Sequence, residues 1–405
     1  MSVHRHRCGF VTLAGLLVAG KPCLCAHAQV NLPPGFEIVE FAVDEDFTGT
    51  PDINDCGEIV IYKRLESQWS SSEVYRYDNG AIVRITNNAD SDVNPQINNL
   101  GQILWGRGLG NKSVTQLILY QDGQETILDE FKKSFNGRTL NNLGHVAWTR
   151  SQRWRNCPKK ENIFFWDGQT TQQLTRDREL SNVSPSLNDH DEMAWELARF
   201  CQNPWASDIQ VQFPDARIQI PSPDTQNAVP AINNLRWVVW TSETGVLLWI
   251  DSDVQLVARY AAKADLNSLG RIFVPIYSFQ YNSYQPWVFD VLDADITAYR
   301  LHDKDEQHLN GAVNTWGECV WSFRTNAPYN ERIWGISYLR RIRTGDGDFD
   351  GDINLTDHQG FATYMSGPVR APGLCENRFL DIDYDGDLDL ADFVRLQNAF
   401  TGASP

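Results

Sequence analysis

A stretch of eleven residues, Pro95-Gln-Ile-Asn-Asn-Leu-Gly-Gln-Ile-Leu-Trp105, recurs along the chain and limits what it can fold into. Asn54, Asn98, Asn141, Asn188, Asn233, Asn267 and Asn314 each follow an Ile, Leu or Val, at intervals of 44, 43, 47, 45, 34 and 47 residues. A Gly stands three positions after the Asn in five copies: Gly57, Gly101, Gly144, Gly270 and Gly317. A Trp stands seven positions after it in five: Trp105, Trp148, Trp195, Trp240 and Trp321. A period in the forties marks a repeat architecture, in which no unit can bury its apolar surface alone.

Each copy has the same grammar. Asn-x-x-Gly is a turn, because both residues tolerate the left-handed backbone that tight hairpins need. A strand ending near the Trp follows, then a loop of variable length. A second strand ends in an aromatic-plus-Asp turn, as in Tyr77-Asp-Asn-Gly80, Tyr120-Gln-Asp-Gly123 and Trp166-Asp-Gly168. A third strand closes the unit, at residues 81–86, 125–128, 172–175, 217–220, 254–259 and 295–299. Short strands, turn signals and no helical period predict an all-β propeller with one four-stranded blade per repeat. The recurring stretch is then a blade's turn and inner strand, and its Trp is core. Seven copies predict seven blades; six blades plus an irregular segment is the alternative, because the fifth repeat has only 34 residues. The seventh copy lacks a final strand, and the orphan strand at residues 35–43 can supply it, closing the ring and removing its free edges.

The repeat resembles that of the TolB-like (WD-repeat-like) propellers, whose blades carry a Pro-x-(apolar)-Ser-Pro-Asp-Gly motif before a strand and an Asp-Gly turn. Pro95-Gln-Ile-Asn-Asn-Leu-Gly101 is similar to that motif with Asn in place of Ser-Pro. The resemblance spans residues 36–343 and implies a fold more than an activity.

The N-terminus reads as a secretory signal peptide at residues 1–28: Arg5 and Arg7, an uncharged apolar run from 8 to 20, and Ala26-His27-Ala28 as a cleavage site. The expected mature protein is secreted or associated with the cell surface and has no transmembrane segment. Five cysteines follow residue 28, and Cys157 and Cys201 sit in equivalent places of adjacent repeats, which makes them a candidate disulfide in an exported chain; five free buried thiols is the alternative. Net charge is −17, and residues 346–405 carry 12 of the acidic residues against three Arg. That balance argues against nucleic acid or an anionic membrane as a partner.

The acidic surplus has a pattern. Asp346, Asp348, Asp350, Asp352, Asn354 and Asp357 fall in one twelve-residue loop, and Asp381, Asp383, Asp385, Asp387, Asp389 and Asp392 in a second, 35 residues on. Oxygen ligands at positions 1, 3, 5, 9 and 12, Gly351 or Gly386 at position 6 and a backbone carbonyl at position 7 suit calcium, a hard cation wanting six to eight oxygens. Two Ca2+ ions are expected. Each loop runs into a helical stretch, and at the 35-residue offset Phe361 matches Leu396. A duplicated loop-plus-helix with Asp at position 12 resembles a type I dockerin more than an ordinary EF-hand pair. The resemblance covers residues 346–405 and implies a small α-helical domain of two EF-hand-like repeats. It also implies a cohesin-like or other surface protein as partner, chosen in part by Leu355-Thr356 and Leu390-Ala391 at positions 10 and 11.

No catalytic constellation is recognisable: the five His residues after residue 28 show no ligand spacing, and no nucleophile elbow or phosphate loop occurs. The loops after the Trp strands offer Trp69, Trp154, Arg155, Trp205, Tyr281 and Tyr284, aromatic planes beside polar groups that suit sugar rings. Packing of loop against loop would use the same residues. The expectation is a propeller that binds a carbohydrate or protein, attached through its calcium module. The alternative is a dockerin-bearing glycoside hydrolase or polysaccharide lyase.

Overall fold

The computed structural model describes residue 30 onward, apart from 45–46, 65–70, 79, 111–113, 133–136, 153–159, 178–179, 200–205, 293–294, 329–331, 343–344, 347–352, 365–377, 384–387 and 401–405. The leader, Trp69, Trp154, Arg155, Trp205, Cys157 and Cys201 therefore lie outside the described residues. Seven antiparallel sheets succeed one another as the blades of a propeller. Blade 2 shows the plan, with Ser91–Ile97 nearest the axis, then Ile103–Leu109, Val114–Gln121 and, outermost, Gln124–Lys132. Blade 5 is complete despite its short repeat, with strands Asn227–Ile232, Val238–Ser242, Val246–Ile250 and Asp253–Ala258. Tight hairpins such as Ser242–Gly245 account for its length, and six blades is excluded.

Blade 7 takes Glu306–Val313, Cys319–Thr325 and Trp334–Arg341 from the end of the propeller and Phe36–Asp44 from its start. The last two pair antiparallel, from Phe36 opposite Arg341 to Asp44 opposite Trp334. The N-terminal strand thus closes the ring as expected. One reading needs correction. The strand that carries the Trp is second from the axis, and the innermost strand lies before the Asn turn. Trp105 also sits inside its strand, Ile103–Leu109, and not at its end.

The repeating Trp and Asn residues hold the ring together in different ways. Trp105, Trp148, Trp195, Trp240 and Trp321 are all at most 2% exposed, so each indole N–H needs a partner inside the protein. In four blades the acceptor stands 13 residues earlier, on the inner strand: Asp92, Asn182, Asn227 and His308, at 2.8–3.0 Å. In blade 3 it is Asp129, from the outer strand of blade 2.

Each periodic Asn works at two ranges. Its Oδ1 accepts the N–H four residues on, for example Gln102 N to Asn98 Oδ1 at 3.0 Å, which fixes the turn. Its Nδ2 donates to the carbonyl of the Asn in the next blade. The chain of bonds runs 54 to 98, 98 to 141, 141 to 188, 188 to 233, 233 to 267, 267 to 314, and from Asn314 back to Asn54 O, all at 2.8–3.1 Å. Only a carboxamide of this length supplies a local acceptor and a donor reaching across the seam; Asp has no donor. The repeated Asn is therefore the girdle of the propeller.

Among the described residues after the propeller are two α-helices, α1 (Leu355–Tyr364) and α2 (Leu390–Ala399). Ile353, Phe361, Leu380, Leu388 and Leu396 form a separate apolar core between them. The matched pair Phe361 and Leu396 are each 1% exposed. This unit rests on the Asn-turn side of blade 7. Arg378 makes a buried ion pair with Glu318, and Phe379 meets Trp316 edge to face at 5.2 Å. Arg378 also lies against Gly57, whose neighbour Cys56 is disulfide-bonded. Among the described residues no helix is long and apolar enough to cross a membrane.

Candidate functional site: the central channel

Three positions before the periodic Asn the inner strand faces the axis in six of the seven blades, and Ala264 of the remaining one packs into the core. There the repeat has Pro51, Pro95, Pro185 and Pro230, but also Ala264, Gly311 and Arg138. The residues before Pro95, Pro185 and Pro230 are Asn94, Ser184 and Val229, with φ of 49°, 54° and 51°, and strand register breaks at each. These are β-bulges, which suit a Pro because one residue leaves the hydrogen-bond ladder. The side chain two before the Asn reaches the seam between blades, after a bulge at Ser186 and with an unbroken register at Asp52 and Asp265. Asp52 Oδ2 accepts the N–H of Ile97 in the next blade at 2.8 Å, Asp265 Oδ2 that of Val313 at 2.9 Å, and Ser186 Oγ that of Ile232 at 3.1 Å.

Two cavities of about 340 Å³ each follow the axis. One opens to the Asn-turn face past Asp55, Asn99, Asn142, Asp189, Asn234, Ser268 and Thr315, the residues next to the girdle. The other opens to the opposite face past Thr50, Asn94 and Asn310. Both are lined by Asp52, Gln96, Gly137, Arg138, Lys263 and Asp265, so these six form the waist of the channel. Arg138 replaces the bulge proline and donates from Nη2 to Val93 O at 3.1 Å and to Asn94 O.

The waist is a set of charges held in a confined space. Burial, reinforced by the negative charge of Asp265, raises the Asp52 carboxyl from its ordinary 3.8 to about 7, against the pull of its backbone bonds and Lys263. Burial also raises Asp265, with Lys263 and backbone N–H groups opposing. It lowers Arg138 to about 10. A raised carboxyl means that the folded protein holds a proton the unfolded chain releases. The protein should therefore lose stability as pH climbs from about 4 to about 7. A three-unit shift corresponds to about 4 kcal/mol, and channel water reduces this to about 2 kcal/mol. Asp52→Asn keeps an acceptor for Ile97 N–H and removes the titration. Urea denaturation should show the variant equal to wild type at pH 4.5 and more stable by about that amount at pH 8. Parallel pH profiles for the two proteins would mean that Asp52 is an ordinary carboxylate.

Of the expected ligand residues, the two that are described lie elsewhere. Tyr281 and Tyr284 belong to the hairpin of blade 6 on the face opposite the Asn turns, away from the waist. Tyr281 OH donates to Asp303 at 2.7 Å, and the Arg300 guanidinium stands 5.7 Å from its ring centroid. Tyr284 packs edge to face on Tyr277, and Phe279, 73% exposed, stands edge-on to both Tyr260 and Tyr277. The patch is partly packed on itself and partly open to solvent.

In the C-terminal unit, oxygens of Asp381, Asp383 and Asp392, positions 1, 3 and 12 of the second loop, lie within 4.8 Å of one another. Asn354 N donates to Asp357 Oδ2 at 2.9 Å and Asp389 N to Asp392 Oδ2 at 3.1 Å, the same bond from position 9 to position 12 in both loops. Asp346 is also described; Asp348, Asp350, Asp352, Asp385 and Asp387 lie outside the described residues.

No family model and no curated protein matches the sequence. Among solved structures the chain is similar to the β-propeller domain of the Trilobed protease from Pyrococcus furiosus, with a TM-score of 0.54, 11% identity, and 71% of this chain and 93% of that one covered. It is also similar to Pyrococcus horikoshii acylaminoacyl peptidase, with a TM-score of 0.52, 11% identity and 69% of this chain covered; the match spans about half (49%) of the peptidase. TolB from Acinetobacter baumannii matches with a TM-score of 0.44 at 10% identity over 60% of this chain and 63% of that one. At these identities the first two similarities speak to the fold alone. The Pyrococcus furiosus domain is described as having an open velcro topology. Here the N-terminal strand is hydrogen-bonded into blade 7.

Proposed function

We propose that the chain is an exported binding protein that takes a hydrophilic ligand, a glycan or glycan end, in its central channel and is attached through a calcium-loaded, dockerin-like tail. The observation that carries the reading is the waist. Arg138 and Lys263 donate, Asp52 and Asp265 accept, and Gln96 can do both. Sugar hydroxyls need both kinds of partner on one surface, and a cavity of about 340 Å³ lies within the range of small-ligand sites. The exposed aromatics of blade 6 offer a second, stacking surface near the opposite mouth. Residues 1–28 supply the export signal. The all-oxygen donor set at Asp381, Asp383 and Asp392 suits Ca2+, and Leu355 and Leu390, 66% and 69% exposed, supply an attachment face for a cohesin-like or other surface protein.

A second reading is favoured by one observation. An Asp52 carboxyl raised to about 7 keeps a proton near neutral pH, as a general acid in a glycoside hydrolase or polysaccharide lyase requires. One experiment separates the two: a polysaccharide panel scored for binding by calorimetry and for product by reducing-end and unsaturated-sugar assays. Binding without product is expected. Lys263→Ala, at an exposed lining side chain, should weaken binding about tenfold, the loss of one charge-assisted hydrogen bond. Product release would select the enzyme reading, and full-strength binding to Lys263→Ala would move the ligand out of the channel.

A further inference from the structure

Three buried polar atoms without a hydrogen-bond partner lie together in the seam between blades 6 and 7: His302 Nδ1, Glu306 Oε2 and His308 Nε2. His308 is 0% and His302 6% exposed. Each such atom costs about 1–3 kcal/mol, and a cation held by Glu306 Oε2 would remove one of these costs. His302 is on the connection from the outer strand of blade 6 to the inner strand of blade 7, which Glu306 begins. A fourth group, Glu40, comes from the N-terminal strand that closes the ring.

Ligand atoms of His302, Glu306 and His308 lie within 4.8 Å of one another, and Glu40 approaches from the His302 side. His302 Nε2 is 3.6 Å from Glu40 Oε1 and 3.9 Å from Glu306 Oε2, and His308 Nε2 is 4.0 Å from the same Glu306 oxygen. Ligand atoms around a tetrahedral ion with bonds of about 2.1 Å stand about 3.4 Å apart, so a small inward movement would complete the cage.

The two histidines are not equivalent. Trp321 Nε1, which can only donate, gives its hydrogen to His308 Nδ1 at 3.0 Å. The lone pair of His308 is therefore on Nδ1 and the hydrogen on Nε2. A metal on Nε2 would force a hydrogen onto Nδ1, facing the indole N–H. His308 stands where Asp92, Asn182 and Asn227 accept the Trp bond in other blades. It is the blade's Trp acceptor, and its Nε2–H faces Glu306 Oε2 at 4.0 Å, beyond hydrogen-bond range. Nothing binds His302 Nδ1, so that nitrogen can keep the hydrogen and leave the Nε2 lone pair free.

We propose that His302 Nε2, Glu306 and Glu40 form a binding site for a zinc-class divalent cation, with His308 beside it as the Trp321 acceptor and not a ligand. One imidazole and two carboxylates suit zinc or cobalt better than calcium. Lys304 Nζ, 3.4 Å from Glu40 Oε1 and 58% exposed, supplies the counter-charge when no cation is bound and is free to swing out. A cation here would tie the closing strand to the blade 6–7 connection, so the site belongs to the closure of the ring and is independent of the channel ligand.

The test is a Co2+ titration of the full chain in excess Ca2+, which keeps the acidic loops filled. One equivalent should give the visible absorption of four-coordinate Co2+, and Zn2+ should displace it. His302→Ala and Glu306→Gln should abolish the band, and Glu40→Gln, at the accessible edge, should weaken binding at least tenfold. His308→Asn, which restores the acceptor used by blades 4 and 5, should keep it. Absence of the band in the wild type overturns the site, as does a band that survives both His302→Ala and Glu40→Gln. Loss of the band in a folded His308→Asn variant overturns the ligand assignment. Circular dichroism on every variant separates lost binding from lost folding.

Discussion

Asn188→Ala should lower the unfolding free energy by about 4 kcal/mol, among the largest effects of any single substitution in the propeller. The side chain is 4% exposed and makes four bonds. Oδ1 accepts from His190 N at 3.0 Å and Glu192 N at 2.9 Å; Nδ2 donates to Glu192 Oε2 at 2.9 Å and, across the seam, to Asn233 O at 3.0 Å. Truncation leaves these groups buried without their partner, at about 1–3 kcal/mol each, and water entering the turn offsets part of that. Asn188→Asp is the sharper comparison. It keeps the local acceptor but loses both donors and sets a second carboxylate against Glu192, so it should destabilise at least as much as Ala. Urea denaturation of both variants measures the difference. If Asp were tolerated, the turn alone would be the role of the Asn, and the bonds between blades would be incidental.

The girdle shows where reading the sequence stops. Asn-x-x-Gly is legible as a turn because the turn is local. The Nδ2 bond is not, because its acceptor lies 34 to 47 residues away in the next blade, or 260 residues away where Asn314 meets Asn54. The closing strand could be found by counting, since one blade lacked a strand and one strand lacked a blade. The Trp strand was placed one step too close to the axis because the true inner strand is interrupted. Bulges at Asn94, Ser184 and Val229 break the period-two pattern that reveals a strand.

The channel residues were present in the repeat but sat in its exceptions. Arg138 stands where four copies have Pro, and Lys263 where Thr, Asn, Gly, Ser, Val and Asn stand in the others. Aligning the copies on the Asn and asking which position breaks the rule would have found both. The aromatic loop residues Tyr281 and Tyr284 form a surface patch outside the channel. In the tail, spacing alone put Asp381, Asp383 and Asp392 in one loop and Phe361 opposite Leu396. The clasp of Arg378 and Phe379 on Glu318 and Trp316 could not be foreseen, because the Arg378-Phe379 segment carries no motif and the Asn314–Gly317 turn is the same local turn as in the other copies.

That clasp makes calcium removal the second large prediction. Asp392 is 0% exposed and accepts N–H groups from Ile382 at 2.6 Å, Asp383 at 3.1 Å and Asp389 at 3.1 Å, while Asp389 completes a capping box at the start of α2. Bringing Asp381 and Asp383 to the same point adds two more negative charges, a repulsive arrangement without a cation. For sites of about 1 µM affinity, 1 mM Ca2+ contributes about 4 kcal/mol per ion to the folded form. A unit whose described core is five buried apolar side chains would depend on that contribution. Asp381 N is bonded to Arg378 O at 3.3 Å, so the second loop is continuous with the segment that docks on the propeller. Chelation should therefore unfold the tail, free Trp316 from Phe379 and change the indole fluorescence, with the propeller's thermal transition almost unmoved. Calorimetry on the full chain should count two calcium ions, and Asp392→Ala should reduce the count to one. A titration that takes up no calcium would leave the converging carboxylates without their cation and defeat the dockerin-like reading of the tail. Uptake of two ions with no change at Trp316 would keep the loops but separate them from the clasp.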